Sequence, residues 1–481
     1  MRGALAFLAA FGAILIASHL SVISLPFHWD EMGQFVPAAL DIYKGGHWIP
    51  VTTVPNVHPP LLMGLLAGVW KLFGYSIALT RMTMLIIASL GVWLAFLLAV
   101  RLSRPLRGTP AFMAVVFLLL TPLFYTQSMM VLLDMPAMVL TCLALLLFLT
   151  GRAGWSALAC VALVLTKETS ISTPLVLGGW LWMEGRKKES LWFGASAIAL
   201  ALWLVILHAS TGQWFGSAEF SRYNIDESLS PLHVLLTVLR RVWYLGIADG
   251  RFFGVAALVA GWSLLKTPEW KLAGAVALAQ TAMVTLLGGA GLERYLLPVL
   301  PIFYAAIAAA ATAYPNSWRN ASHAVMCLGL MSGWIWSPFG PHENSLAMLD
   351  LVHLHEEAAG YLAANAKDAV ILTAWPFSDA LTRPEMGYVY EPLHVVRAPG
   401  QHLTELASAD PHKAQYLAVF TDKMPLEGSV VDWEPIRNLL RKYTDYQPQV
   451  SPEEVRAGLG FTPILSWNRH AQHMRIYART D

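Results

Sequence analysis

Apolar runs recur through the first 340 residues, separated by short polar joints. They fall near residues 5–25, 78–100, 110–129, 134–150, 154–166, 170–183, 190–209, 252–265, 272–289, 295–313 and 321–337. About 20 apolar helical residues cross the hydrocarbon core of a bilayer. The pattern therefore predicts a mainly α, polytopic membrane protein of about eleven spans, the shorter runs having uncertain ends. Residues 59–74 form a further apolar stretch, opened by Pro59 and Pro60 and interrupted by Lys71. A helix of that length reaches roughly 24 Å, short of the hydrocarbon core. It is expected to lie in the outer interface, with residues 34–44 as a second such helix. The alternative, a true span over 59–74, inverts every later joint.

Beyond residue 340 the pattern changes. Strand-like runs occur at 369–374, 394–396, 416–421, 463–467 and 473–478, and helical spacing at 346–364 and 436–443. The expected organisation is a membrane domain over 1–340 and a small α/β domain over 341–481. Lysine and arginine set the orientation. Arg101, Arg104 and Arg107, then Arg152, then Arg186-Lys187-Lys188, then Lys266 and Lys271, then Arg319 all fall on one side if residues 26–77 form a single outer loop. That side is read as cytoplasmic. The N-terminus is then inside and residues 341–481 are outside.

Composition strengthens the membrane reading. The 481 residues are 56% hydrophobic and 13% charged, against about 25% charged in an ordinary soluble domain. A net charge of +1 argues against a nucleic-acid partner. Cys142, Cys160 and Cys327 lie in apolar runs, without metal-ligand spacing or a disulfide framework. The first apolar run lacks a small-residue cleavage site and is read as an uncleaved span.

The span interiors hold almost no charge, so the chemistry gathers at their outer ends. Asp30 and Glu31 follow the first span, beside Phe27 and Trp29 at headgroup depth. Asn56 and His58 precede Pro59-Pro60, Arg81 opens the second span, and Asp134 lies between the third and fourth. Lys167 and Glu168 lie between the fifth and sixth. Arg222, Tyr223, Arg240 and Arg241 occupy the loop 210–251, and Glu293, Arg294 and Tyr295 open the tenth span. Each has a plainer reading. Asp30 and Glu31 suit the first turn of a helix. Arg81 and Arg294 suit snorkelling anchors, Asp134 suits a helix cap, and Lys167-Glu168 suits a local ion pair of little value. His58 suits an exposed loop. Ionisable groups near a bilayer are costly and usually functional. Together these supply acids, a histidine and cations, which transfer at an anionic phosphate requires.

Their order carries a resemblance. Trp29-Asp30-Glu31, then His58-Pro59-Pro60-Leu61-Leu62 with Leu72-Phe73-Gly74 and Thr80-Arg81, come first. Leu133-Asp134-Met135-Pro136, Thr166-Lys167-Glu168 and Glu293-Arg294-Tyr295 with Pro298 and Pro301 follow. This series resembles the GT-C membrane glycosyltransferases of the protein O-mannosyltransferase and aminoarabinose-transferase type, over residues 5 to about 310. The resemblance implies a GT-C fold and a sugar donor linked to a polyprenyl phosphate. It implies a lipid or glycan acceptor, and an active site on the extracytoplasmic side of the plasma (inner) membrane. Asp30 becomes the general base for an inverting transfer, with Glu31 beside it. His58, Arg81, Lys167, Arg222, Arg294 and Tyr295 become candidates for the phosphate. Glu31 and Asp134 orient sugar or acceptor, and Glu168 joins the substrate-binding set.

Two departures limit what carries over. The aminoarabinose transferases have an acid directly before the basic residue of the Pro-Pro motif, associated with a metal. Val57 stands there in this chain, which leaves a divalent metal in doubt and no cofactor assigned. The loop 210–251 is too short for the folded insertion of the protein O-mannosyltransferases, which weakens a protein acceptor. The competing readings are a transporter and a lipid-handling membrane protein. A transporter needs broken helices with ionisable groups at the midplane, and the sequence shows neither. The domain 341–481 is expected to serve acceptor choice and not chemistry.

Overall fold

The computed structural model describes residues 2–104, 106, 110–218, 229–289, 291–335, 342–421, 433–435, 437–438, 449–470 and 472–479. Arg222 and Tyr223 lie outside the described residues, as does most of the helix expected over 436–443. The chain divides into two units, Met1–Ile23 with Gln34–Ser337, and Ser24–Gly33 with Pro338–Asp481.

The first unit is helical. Leu5–Val22, Ile77–Leu102 and Lys187–Thr211 are long and apolar enough to cross a membrane. Pro231–Gly246 with Ala248–Ala260 makes a fourth if the pair counts as one span bent by 51°. The bend has a local cause: Asp249 and Gly250 sit at φ 53° and 74°, where a right-handed helix cannot continue. Other expected spans are shorter or broken. Residues 110–129 form Pro110–Leu120 and Pro122–Gln127, because Pro122 restarts the helix. Residues 295–313 begin as a 3₁₀ turn, Glu293–Leu296, before Leu300–Ala310.

The stretch 210–251 differs from its expectation as a loop. Ser230 caps a helix, Pro231–Gly246, by accepting from the His233 amide at 3.3 Å, with Pro231 at the first position. Leu232, Leu235, Leu236, Val238, Leu239 and Val242 lie exposed along it. Arg240 reaches the Glu293 carboxylate and Arg241 the Leu292 carbonyl, each more than 50 positions away, which local patterning does not reveal.

The segment 59–74 contains the helix Leu61–Phe73. At 13 residues it reaches about 20 Å, short of a hydrocarbon core. Trp70 anchors it: the indole is fully buried, donates to Thr80 Oγ1 at 2.9 Å, and meets Tyr43 and Tyr75 edge-on. Asp41, on the neighbouring helix Val36–Gly45, accepts from the amides of Val51 and Thr52 at 2.8 and 2.9 Å, folding the following loop back onto that helix.

The second unit holds a five-stranded sheet: β1 Val370–Ala374, β2 His394–Ala398, β3 Tyr416–Phe420, β4 Phe461–Arg469 and β5 Gln472–Arg479. The order is β2-β1-β3-β5-β4. The first three strands run parallel, and β5 pairs antiparallel with β3 and β4. All five coincide with strand-like runs in the sequence. Leu372, Leu406, Leu417, Val455, Phe461 and Tyr477 form the core on one face.

β5 carries an acid-sensitive group. Burial, with Arg475 nearby, holds the His473 imidazole down at about 4. The unfolded chain therefore takes up a proton first as pH falls below about 6.5. Stability from this site is complete above pH 6.5 and is lost progressively down to about pH 4. Discounted for partial exposure, the loss is about 2 kcal/mol. Thermal unfolding between pH 7 and pH 4 checks this, and His473→Gln is expected to flatten the dependence.

Candidate functional site

The first unit gathers one charged cluster from four separate segments. Asp134 opens the helix Asp134–Leu149, where the positive end of the helix dipole favours a carboxylate. Lys167 closes the helix Ala153–Thr166 in an extended conformation. Its ammonium is bonded to Asp134 Oδ1 and lies 4.1 Å from the centre of the Tyr295 ring, a cation–π contact. Arg294 Nε lies 3.4 Å from Asp134 Oδ2. Both arginine and lysine are almost fully buried here, so the snorkelling and local-pair readings of Arg294 and Lys167 do not hold.

The helix Pro231–Gly246 adds two residues that the sequence reading had noted but not selected. Arg240 grips Glu293 with two nitrogens, Nη2 to Oε2 at 2.7 Å. Arg241 Nη1 donates to the Leu292 carbonyl at 2.7 Å. Gly291, at φ 62°, brings the turn beside this helix: a Cβ there would lie 3.3 Å from Thr237 Oγ1. Arg241 is 4% exposed, and among the described residues its Nε and Nη2 have no hydrogen-bond partner. Within this cluster Lys167, Arg240, Arg241 and Arg294 face two carboxylates, Asp134 and Glu293. Buried cations of this kind attract an anion with good hydrogen-bond geometry. The only signal in the sequence was the Arg-Arg pair itself.

His58 and Glu168 form a second pair, His58 Nδ1 to Glu168 Oε2 at 2.8 Å. Burial pushes the Glu168 carboxyl up, but His58 and the adjacent Lys167 outweigh it and hold it below its ordinary value. Lys167 and Glu168 therefore do not pair with each other as neighbours; each reaches a different partner. His58 is placed by its loop. Its amide donates to Asn56 Oδ1 at 3.0 Å, and Trp203 Nε1 donates to the Val57 carbonyl at 2.8 Å. Gln34, Trp48, Asn56, His58 and Trp203 line a small pocket.

Arg81 comes from a further helix. It is fully buried on the helix Ile77–Leu102, and its Nη1 donates to the Met129 carbonyl at 3.0 Å. That excludes a snorkelling role.

Asp30 and Glu31 belong to the second unit. Glu31 is fully buried, and its Oε2 accepts from the His28 amide at 2.9 Å, closing a tight turn into the π-helical segment Glu31–Phe35. Asp30 is partly exposed. Among the described residues no group of three or more His, Cys, Asp or Glu side chains is placed to hold a metal ion. With Val57 in place of the acid and His58 committed to Glu168, the residues present do not fit the metal associated with the aminoarabinose transferases.

No protein-family model and no curated protein matches this sequence. Solved structures do match. ArnT from Cupriavidus metallidurans bound to undecaprenyl phosphate superposes with a TM-score of 0.59 at 14% identity, over 99% of this chain and 98% of that one. Its apo state gives 0.55 at 14% identity, over 97% and 98%. The archaeal oligosaccharyltransferase AglB from Archaeoglobus fulgidus, in complex with an inhibitory peptide and a dolichol-phosphate, gives 0.50 at 11% identity, over 99% of this chain and 74% of that one. At the level of the fold, this chain is similar to the GT-C membrane glycosyltransferases, as its ordered motifs had led us to expect.

Proposed function

We propose that this protein is an inverting glycosyltransferase that moves a sugar from a polyprenyl-phosphate-linked donor to a lipid or glycan acceptor. The observation that carries the reading is the buried cluster around Asp134, with the two open donor groups of Arg241 among the described residues. A phosphate oxygen would accept from those donors. Lipid phosphate bound to ArnT and to AglB supports the same choice of donor.

In this reading Asp30 takes the proton of the acceptor hydroxyl as its oxygen attacks the anomeric carbon. The bond from that carbon to the phosphate oxygen breaks, and the sugar inverts. The leaving lipid phosphate is already anionic, so it needs cations and donors rather than an acid. Lys167, Arg294 and Arg241 supply them, with Tyr295 beside Lys167. Asp134 holds the lysine and arginine in place. His58 and Glu168 bind the sugar or acceptor. The enzyme works in the plasma membrane, with about eleven spans and its site on the extracytoplasmic side.

Deleting the gene and recording mass spectra of lipids and glycans tests this. The expected result is one polyprenyl-phosphate sugar accumulating while one glycan or glycolipid loses a single sugar. Unchanged spectra in both pools would sink the proposal.

A further inference from the structure

We infer that the second unit positions Asp30, with Trp375 and Tyr388 as positioning residues. This rests on the reading of Asp30 as the base, and it gives residues 338–481 a part in chemistry and not only in acceptor choice.

Ser24–Gly33 is a ten-residue segment whose two ends join the helical unit by covalent bonds, yet it packs as part of the second unit. Phe27 anchors its upstream half. The ring is fully buried, its amide donates to the Met386 carbonyl at 3.1 Å, and its carbonyl accepts from Tyr388 Oη at 3.0 Å. Both main-chain polar groups of Phe27 are thus satisfied by residues some 360 positions later. Trp375 anchors the downstream half. It follows the last residue of β1 directly, so a strand of the sheet carries it.

The Trp375 ring meets the Trp29 ring edge-on at 4.9 Å. It also lies so close to the backbone at Gly33 that a Cβ there would come within 2.9 Å of it. Trp29 itself has φ 49°, a left-handed conformation that bulky residues rarely adopt. Such a conformation persists only where the surroundings over-determine it, and it clusters at functional sites. Here those surroundings are Trp375 and the turn closed by Glu31. Asp30 lies between Trp29 and Glu31, so the backbone is held on both sides of the carboxylate that must meet a proton. A general base misplaced by about 1 Å can cost about 10²-fold in rate.

The test uses the full chain in detergent with Tyr388→Phe, Trp375→Phe and Trp375→Ala. Hydrogen–deuterium exchange should rise in peptides covering 24–33 for Trp375→Ala and Tyr388→Phe, with β3 and the helix Asp134–Leu149 unchanged. Transfer and donor hydrolysis, assayed with undecaprenyl-phosphate-linked mannose, glucose and arabinose, should fall about 10–10²-fold in kcat. KM for the donor and affinity for undecaprenyl phosphate should hold, and Trp375→Phe should recover most of the rate. Unchanged exchange over 24–33, or an unchanged kcat, overturns the inference. If exchange rises as expected while Asp30→Asn transfers normally, the fault lies with Asp30 as base and not with the clamp.

Discussion

Asp30→Asn is expected to abolish measurable transfer while leaving undecaprenyl phosphate bound as tightly as before. Asparagine keeps the size of the side chain and one acceptor oxygen but cannot take a proton. General-base catalysis typically contributes 10²–10⁴-fold, and the whole of it should be lost. Asp30 is partly exposed, so the substitution removes no fully buried charge. That separates it from its neighbour. Glu31 is fully buried and accepts the His28 amide, so Glu31→Gln should act through the turn and through stability, with a milder effect on rate. The measurement is transfer by the purified variant, with folding confirmed by its thermal transition. Near-normal turnover would remove Asp30 from the mechanism.

The second large effect is expected at Arg241. Its guanidinium is buried and, among the described residues, two of its nitrogens have no hydrogen-bond partner. If a phosphate oxygen meets them, Arg241→Met loses charge-assisted hydrogen bonds worth about 1.5–3 kcal/mol. Affinity for undecaprenyl phosphate should then fall about 10–10²-fold. Arg240 provides the contrast. It is committed to Glu293 through two nitrogens. Arg240→Met strips a buried carboxylate of that partner and should lower the unfolding temperature, by up to about 3 kcal/mol in stability because Arg240 is partly exposed. Calorimetric titration with undecaprenyl phosphate, paired with thermal unfolding of both variants, distinguishes the two roles. Unaltered affinity in Arg241→Met would take the phosphate away from this residue.

The two expected results depend on different kinds of information. The mainly helical character of the chain and all five strands of the C-terminal sheet were legible in the sequence. Apolar periodicity and β-branched runs are local properties, and burial in lipid or in a small sheet selects for them directly. The ordered motifs from Trp29 to Pro301 were legible too, and they pointed to the GT-C fold. Capping also acts locally, as at Ser76 before Ile77–Leu102 and Ser451 before Pro452–Leu459.

Partnership was not legible. Lys167 and Glu168 are adjacent in the chain, but one reaches Asp134 and the other His58 across 33 and 110 positions. Arg240 and Arg241 fall in a stretch read as a loop; the Glu293 carboxylate that pairs with Arg240 and the Leu292 carbonyl that accepts from Arg241 lie more than 50 positions away. The anchoring of Phe27 and Trp29 by Tyr388 and Trp375 spans most of the chain. Charge pairing and hydrogen bonding depend on distance in space, falling off over a few ångströms, and chain separation sets no bound on that distance once the chain is folded. The sequence by itself nominated candidates for the chemistry, because most of them are polar groups at the end of an apolar run. Only the tertiary structure decided which of them balance one another, and which are left with donors to offer.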